Sequence, residues 1–343
     1  MGLLYSFLKN SSRVVLPFFF GKIDVFGEEN IPKDNPYILA PNHQNSFIDA
    51  IILGAYSTKP VTFLARSDVF VPPYDKILAA LKLMPVYRMR DGYEKLKLNE
   101  ITFTECDKIL EKGNPVLIFP ESNTAHEFYL RPITKGISRM AFQSQAKLEE
   151  DLYILPVGLN YGHHTFPFHR FILNYGKPVR VKDFIELHEQ HSAKGLISIR
   201  NAISAGMKST LLIPEKDEHY PEKKNILNRQ YEELSFSSLK ELLETPEQIQ
   251  EEGYNRILVP ITGVLMLPNM PPFLLLYYLL NRLKDPQFIL SYKFVFALLI
   301  FPIWWVAIFS LVVIVFSWQW ATIIFCISFA SIFIRQYLRK RIQ

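Results

Sequence analysis

Residues 294–316 (FVFALLIFPIWWVAIFSLVVIVF) give 23 consecutive positions without a charge, and this run limits what the chain can become. As a helix it is about 34 Å long, at roughly 1.5 Å per residue, enough to cross a hydrocarbon core of about 30 Å. A soluble core rarely takes a helix this long and this apolar, so the run is expected to span a membrane. A second apolar run, 321–334 (ATIIFCISFASIFI), follows Ser317-Trp318-Gln319-Trp320. Alone it is about 21 Å long as a helix, short of a full crossing. Two layouts fit. A hairpin can turn near Trp318 and Trp320 as interfacial anchors, or the turn can lie within 310–320 with both arms tilted or partly inserted. Lys293 and Arg335–Arg341 flank the pair. The positive-inside tendency then puts both ends, and the domain before them, on the cytoplasmic side.

Two further segments bear on the membrane. Ile257–Leu280 is apolar but broken by Pro260, Pro268, Pro271 and Pro272. It reads as a bent, interfacial or re-entrant piece. Residues 1–29 carry Leu3, Leu4, Phe7 and Leu8 before Arg13, then the apolar stretch Val14–Phe20. The charges come too late for a secretory signal. An amphipathic helix on the membrane is expected, with a helix docked on the domain core as the alternative.

Charge distribution sharpens this division. No acidic residue follows Asp285, whereas Lys293, Arg335, Arg339, Lys340 and Arg341 do, and these five account for the whole net charge of +5. The front part is neutral, which argues against nucleic acid as a partner, since such a binder spreads Lys and Arg over a folded face. The 2 cysteines, Cys106 and Cys326, exclude a disulfide scaffold and a Cys-based zinc module.

Residues 30–213 read as a globular α/β domain, a mostly parallel sheet flanked by helices. Expected strands are Tyr37–Pro41, Val61–Ala65, Met84–Arg88, Pro115–Phe119, Tyr153–Asn160 and Phe171–Tyr175, short and rich in Val, Ile, Tyr and Phe. Helical patterns fall between them at Ser46–Tyr56, Asp75–Leu83, Glu94–Lys112 and Lys135–Lys147. Residues 214–256 read as a charged linker with amphipathic helices. Residues 257–343 form the membrane region, its hairpin at about 293–335.

The serine-hydrolase elbow G-x-S-x-G, both glycine-rich phosphate cradles and the H-E-x-x-H zinc pattern are absent. His163, His164 and His169 lack a Cys or carboxylate at ligand spacing, so no metal site is expected. Two segments remain. In Asn42-His43-Gln44-Asn45-Ser46-Phe47-Ile48-Asp49, directly after a strand, Ser46 is a candidate N-cap and Asp49 falls in the first helical turn. Across such a loop-to-helix corner His43 and Asp49 can meet. A carboxylate on one imidazole nitrogen leaves the other free to take a proton. The alternative is that Asp49 only stabilises the helix start. In Phe119-Pro120-Glu121-Ser122, Pro120 ends a strand and presents Glu121 just beyond it. His126-Glu127 offers a second acid/base pair.

Together, His43-x₅-Asp49 after Asn42 and Phe119-Pro120-Glu121 some seventy residues later resemble the PlsC-type glycerolipid acyltransferases. Met84-Pro85-Val86-Tyr87-Arg88-Met89-Arg90, Leu130–Gly136 and Ile154-Leu155-Pro156-Val157-Gly158 are similar to further blocks of that family, in its order. The five-residue spacing between His43 and Asp49, with Asp285-Pro286-Gln287-Phe288 and then Ser291-Tyr292-Lys293-Phe294 before the hairpin, is similar to a fungal-type glycerol-3-phosphate/dihydroxyacetone-phosphate branch. Ser122 stands where the family usually has Gly.

The resemblance implies acyl transfer from acyl-CoA or acyl-carrier protein to a hydroxyl of glycerol-3-phosphate or 1-acylglycerol-3-phosphate, at a phospholipid membrane. His43 would be the general base and Asp49 its orienter. Arg88, Arg90, Glu121, Ser122 and Lys135 would bind the glycerol-phosphate acceptor. No cofactor or metal is implied beyond the acyl carrier as co-substrate.

Overall fold

The computed structural model describes residues 2–88, 91–228, 234–244, 258–340 and 342. Strands β1 (Ile23–Phe26), β2 (Tyr37–Pro41), β3 (Thr62–Arg66), β4 (Leu83–Val86), β5 (Val116–Leu117), β6 (Tyr153–Tyr161), β7 (Phe171–Tyr175) and β8 (Val179–Arg180) form one sheet. Its order is β1-β7-β6-β2-β5-β3-β4, with β8 pairing with β6. From β6 to β4 the pairs are parallel, while β7 and β8 run antiparallel to β6. The expected mostly parallel sheet is therefore present. It begins at β1, before residue 30, because Ile23–Phe26 pairs in register with Phe171–Asn174.

β2 is buried along its whole length, and its side chains alternate between two cores. Tyr37 and Leu39 face one core, Ile38 and Ala40 the other. Helices α1 (Leu3–Phe20) and α2 (Phe47–Tyr56) pack on the first face. Between β3 and β5 come the short α3 (Tyr74–Ala80) and α4 (Tyr93–Leu96), then α5 (Leu98–Glu111). The second face is covered by α5, α6 (Gly136–Gln145) and, beyond α7 (Ile185–Gln190), by α8 (Ser192–Ser209).

α1 docks on the domain core, the alternative given for this segment. Tyr5, Leu16, Phe19 and Phe20 are buried against the domain, and the Tyr5 hydroxyl accepts from the Val61 amide. Leu3, Phe7, Val14 and Phe18 remain exposed on another face.

The stretch expected to be a charged linker with amphipathic helices forms two such helices among the described residues, and both contribute to the core. α9 (Tyr220–Asn228) and α10 (Phe236–Glu244) bury Tyr220, Ile226, Leu227, Leu239 and Leu243 with the first core. Amphipathic helices with charged outer faces look like linker in sequence, because only their inner stripe is apolar. The rest of that segment, 229–233 and 245–256, lies outside the described residues.

The C-terminal part opens with a bent pair, α11 (Leu258–Val264) and the helical stretch 267–280 that contains α12 (Met270–Leu280), turned by 42°. α13 (Ile289–Val295) continues through a π turn at Phe296–Ile300 into α14 (Phe301–Val315), so one apolar helix covers Pro286–Val315. α15 (Trp318–Lys340) folds back beside α14. These two helices are long and apolar enough to cross a membrane. The second arm exceeds the expected short run because the helix continues through Arg335 and beyond.

Candidate active site

The parallel strands β2, β5, β3 and β4 lie side by side, and their C-terminal ends open onto one edge of the sheet. Ligands in open α/β sheets gather there. Both segments singled out in the sequence lie at this edge.

β2 leads into the loop Asn42–Ser46. The Asn42 side chain extends the sheet ladder, donating to the Leu159 carbonyl (3.0 Å) and accepting from its amide (2.7 Å). That grip fixes the loop where it turns into α2. Asp49, fully buried in the first turn, reaches back to the loop. Its Oδ2 meets His43 Nδ1 at 2.8 Å and accepts from the Gln44 and Asn45 amides at 2.8 and 2.9 Å. The Tyr161 hydroxyl, at the end of β6, donates to Asp49 Oδ1 at 2.5 Å. With Nδ1 engaged as a donor to the carboxylate, Nε2 is the nitrogen left to exchange a proton. The His43 ring stacks on Phe119 at 3.7 Å between centroids, which fixes its plane.

Ser46 occupies the expected N-cap position, but its side chain forms no capping bond and its φ is 52°. Ser122 likewise has φ 65°, the left-handed conformation that glycine adopts without cost. The chain thus keeps the loop shape of the Phe-Pro-Glu segment with a serine, whose hydroxyl is 3.1 Å from Thr134 Oγ1.

Glu121, expected to contact an acceptor, does not line the cavity. It is buried, and its carboxylate pairs with the Arg131 guanidinium. Arg131 also donates to the carbonyls of Asn123 and His43. Glu121 therefore braces the loop behind His43. Burial pushes its carboxyl up to about 7, against the opposing pull of Arg131. His126 and Glu127 are not a pair: His126 Nε2 is 3.0 Å from Asn45 Oδ1, while Glu127 accepts from the Tyr220 hydroxyl. His164 Nε2 lies 2.9 Å from Gln44 Oε1, and burial depresses both imidazoles, His164 the more strongly. No three His, Cys, Asp or Glu converge as a metal set among the described residues.

His43 borders a cavity of about 840 Å³. Phe63, Leu64, Leu83, Val86, Phe103 and Ile118 make much of its wall apolar. Arg66, Arg88, Lys135 and Arg139 also border it, together with Ser122 and Asn123. Arg88 is held between Asp68 (3.4 Å), Asp91 (3.5 Å) and Asn123 Oδ1 (3.4 Å), and its buried Nε has no hydrogen-bond partner among the described residues. Among the described residues, Lys135 and Arg139 form no ion pair. Arg90 lies outside the described residues.

The arrangement is a histidine and its carboxylate partner beside a largely apolar cavity with cations on its wall. Residues 22–160 match the family model described as Acyltransferase. Over that stretch the chain is similar to acyltransferases. A 186-residue stretch is 26% identical to the 1-acyl-sn-glycerol-3-phosphate acyltransferase of Bacillus subtilis (strain 168), covering 54% of this chain and 86% of that protein. A chloroplastic 1-acyl-sn-glycerol-3-phosphate acyltransferase of Brassica napus is 30% identical over 131 residues, 37% of this chain and 35% of that one. The crystal structure of the 1-acyl-sn-glycerophosphate (LPA) acyltransferase PlsC from Thermotoga maritima aligns with a TM-score of 0.43 at 18% identity, covering 61% of this chain and 78% of that one.

Tyr161 and Arg131 were not singled out by the pattern. Each sits inside or beside a block that the sequence reading marked, yet neither lies near His43 or Asp49 in sequence.

Proposed function

We propose that the protein is a membrane-bound O-acyltransferase of phospholipid biosynthesis. It moves a fatty acyl group from acyl-CoA or acyl-carrier protein to the free hydroxyl of 1-acylglycerol-3-phosphate. The observation that carries this reading is the His43–Asp49 dyad on the wall of an apolar cavity.

His43 Nε2 takes the proton of the acceptor hydroxyl as its oxygen attacks the thioester carbonyl carbon. Asp49 stabilises the imidazolium that forms. The tetrahedral adduct collapses, the C–S bond breaks, and His43 returns the proton to the thiolate. General-base catalysis of this kind contributes roughly 10²–10⁴ in rate. The apolar wall takes the acyl chain. Arg88, with Lys135 and Arg139, takes the acceptor phosphate by charge-assisted hydrogen bonds. The apolar helices Pro286–Val315 and Trp318–Arg339 anchor the chain, with Lys293 and the basic end at Arg339 toward the cytoplasm. An acyl product that partitions into the bilayer fits this placement.

A second reading takes glycerol-3-phosphate as acceptor. It is favoured by the five residues between His43 and Asp49. Membranes containing wild type or His43→Ala, given labelled acyl-CoA or acyl-carrier protein, decide between them. Label in phosphatidic acid from lysophosphatidic acid supports the first reading; label in lysophosphatidic acid from glycerol-3-phosphate supports the second. His43→Ala is expected to lose at least about 100-fold in either case. Free fatty acid released without an acceptor would make the protein a hydrolase, and no His43-dependent turnover would make it a binding protein on this fold.

A further inference from the structure

α2 begins without a cap of its own. Ser46 stands in the capping position but bonds nothing there, and the Asp49 carboxylate is committed to His43, to two loop amides and to Tyr161. A helix start leaves several backbone N–H groups without partners, and buried ones need an acceptor. The acceptor comes from 243 residues further along the chain. Ile48 N–H donates to Ser291 Oγ at 3.1 Å, and the same hydroxyl donates to the Asn45 carbonyl at 3.1 Å. Ser291 is 4% exposed.

One hydroxyl thus ties Asn45 O to Ile48 N across the turn into α2. Asn45 N–H is itself a donor to Asp49, and Ile48 precedes Asp49 in the chain. Leu290 and Phe294, on either side of Ser291, are fully buried in the core that holds α2. Phe288, a turn earlier, borders the cavity, and its ring lies 5.6 Å from that of Phe47.

We infer that Ser291 is a positioning residue for the His43–Asp49 corner, so the first apolar C-terminal helix is a working part of the site as well as an anchor. Ser291 touches no substrate; it acts by holding the turn that aims Asp49 at His43. Losing the hydroxyl frees the Ile48 amide and the Asn45 carbonyl in a buried place, and the turn relaxes. The chemical step then slows, while the cavity that binds the substrates keeps its walls. This inference rests on the acyl-transfer reading above.

The test compares full-length wild type, Ser291→Ala and Ser291→Thr in membranes, each with kcat and KM for donor and acceptor on folded protein. Ser291→Ala is expected to lower kcat about tenfold, the size of effect that a lost buried cap supports, with both KM values within about twofold. Ser291→Thr keeps the oxygen and is expected to recover at least half of wild-type kcat. Should Ser291→Ala fail to fold, Ser291→Cys replaces it, because sulfur is a weak acceptor at similar size, and the same fall in kcat is expected. A variant lacking the oxygen whose kcat stays within twofold of wild type overturns the inference. So does a loss that falls in KM instead, or a Thr variant as poor as Ala. A wild type with no His43-dependent transfer overturns the functional reading and this inference with it. An active wild type with an unchanged Ser291→Ala overturns this inference alone.

Discussion

Asp49 and Glu121 are both buried carboxylates, yet their surroundings give them different work. Asp49 accepts from the His43 ring, two backbone amides and the Tyr161 hydroxyl, which leaves little of its capacity unused. Glu121 faces the charge of Arg131, and burial outweighs it, raising the carboxyl from 4.5 to about 7. The consequence for stability has a definite sign. Below about 4.5 both folded and unfolded chains hold the proton; between 4.5 and about 7 only the folded chain does. Stability from this group therefore falls as pH rises through that window, then levels off. Glu121→Gln has no such proton to lose. The stability difference between wild type and Glu121→Gln is expected to decline from pH 5 to pH 7.5 by on the order of 2–3 kcal/mol, read from unfolding midpoints in detergent. A difference that stays flat with pH would mean that Arg131 keeps Glu121 ionised throughout. The sequence places Glu121 just beyond a strand that Pro120 ends, whereas the strand stops earlier, at Leu117. What it did not contain was the return of the chain that brings Arg131 over it.

Among the elements, the strands and helices of the domain were largely legible. β2 and β7 match their expected bounds, and β3 and β4 differ by a residue or two, since short Val/Ile/Tyr/Phe runs bounded by Pro and Gly are a local signal. α15 was not read at full length. Its last turns carry Arg335 and Arg339, and charges at the end of an apolar helix look like an end in sequence while the backbone continues. The bend in the preceding segment followed from its prolines, but not what holds it. Asn269 is fully buried and uses its whole amide. Nδ2 donates to the Ser328 carbonyl (2.7 Å) and Ser331 Oγ (3.1 Å), while Oδ1 accepts from Trp305 Nε1 (3.0 Å) and Ser328 Oγ (2.8 Å). This knot pins the bend to both arms of the hairpin. Asn269→Leu leaves those partners unpaired and is expected to cost about 1–3 kcal/mol. Unfolding by a denaturing detergent, followed by tryptophan fluorescence, checks it; a midpoint equal to wild type would show the knot to be energetically idle.

At the scale of the whole molecule, the hairpin and the α/β domain share a core. Leu290 and Phe294 are fully buried among residues of α1, α2, β6 and β7, so the domain is completed by the helix that leaves it. A chain ending at Asp285 loses both side chains, and each is worth about 1.5–3 kcal/mol when buried. Its stability is expected to fall by about 3–6 kcal/mol, visible as a lower thermal midpoint in detergent. An unchanged midpoint would reduce the hairpin to a detachable anchor. Sequence alone determined the alternation of strands and helices, the apolar runs, and the corner that brings His43 to Asp49, six residues apart. Each of these depends on a short window, where periodicity, proline and charge act on neighbouring residues. Tertiary structure decided the partners: Tyr161 on Asp49, Arg131 on Glu121, Ser291 under α2, and the packing of α9 and α10 into the core. These contacts join residues from 10 to 243 positions apart. They follow from sheet order and helix docking, which are set by the sum of many weak contacts and by no single stretch of residues.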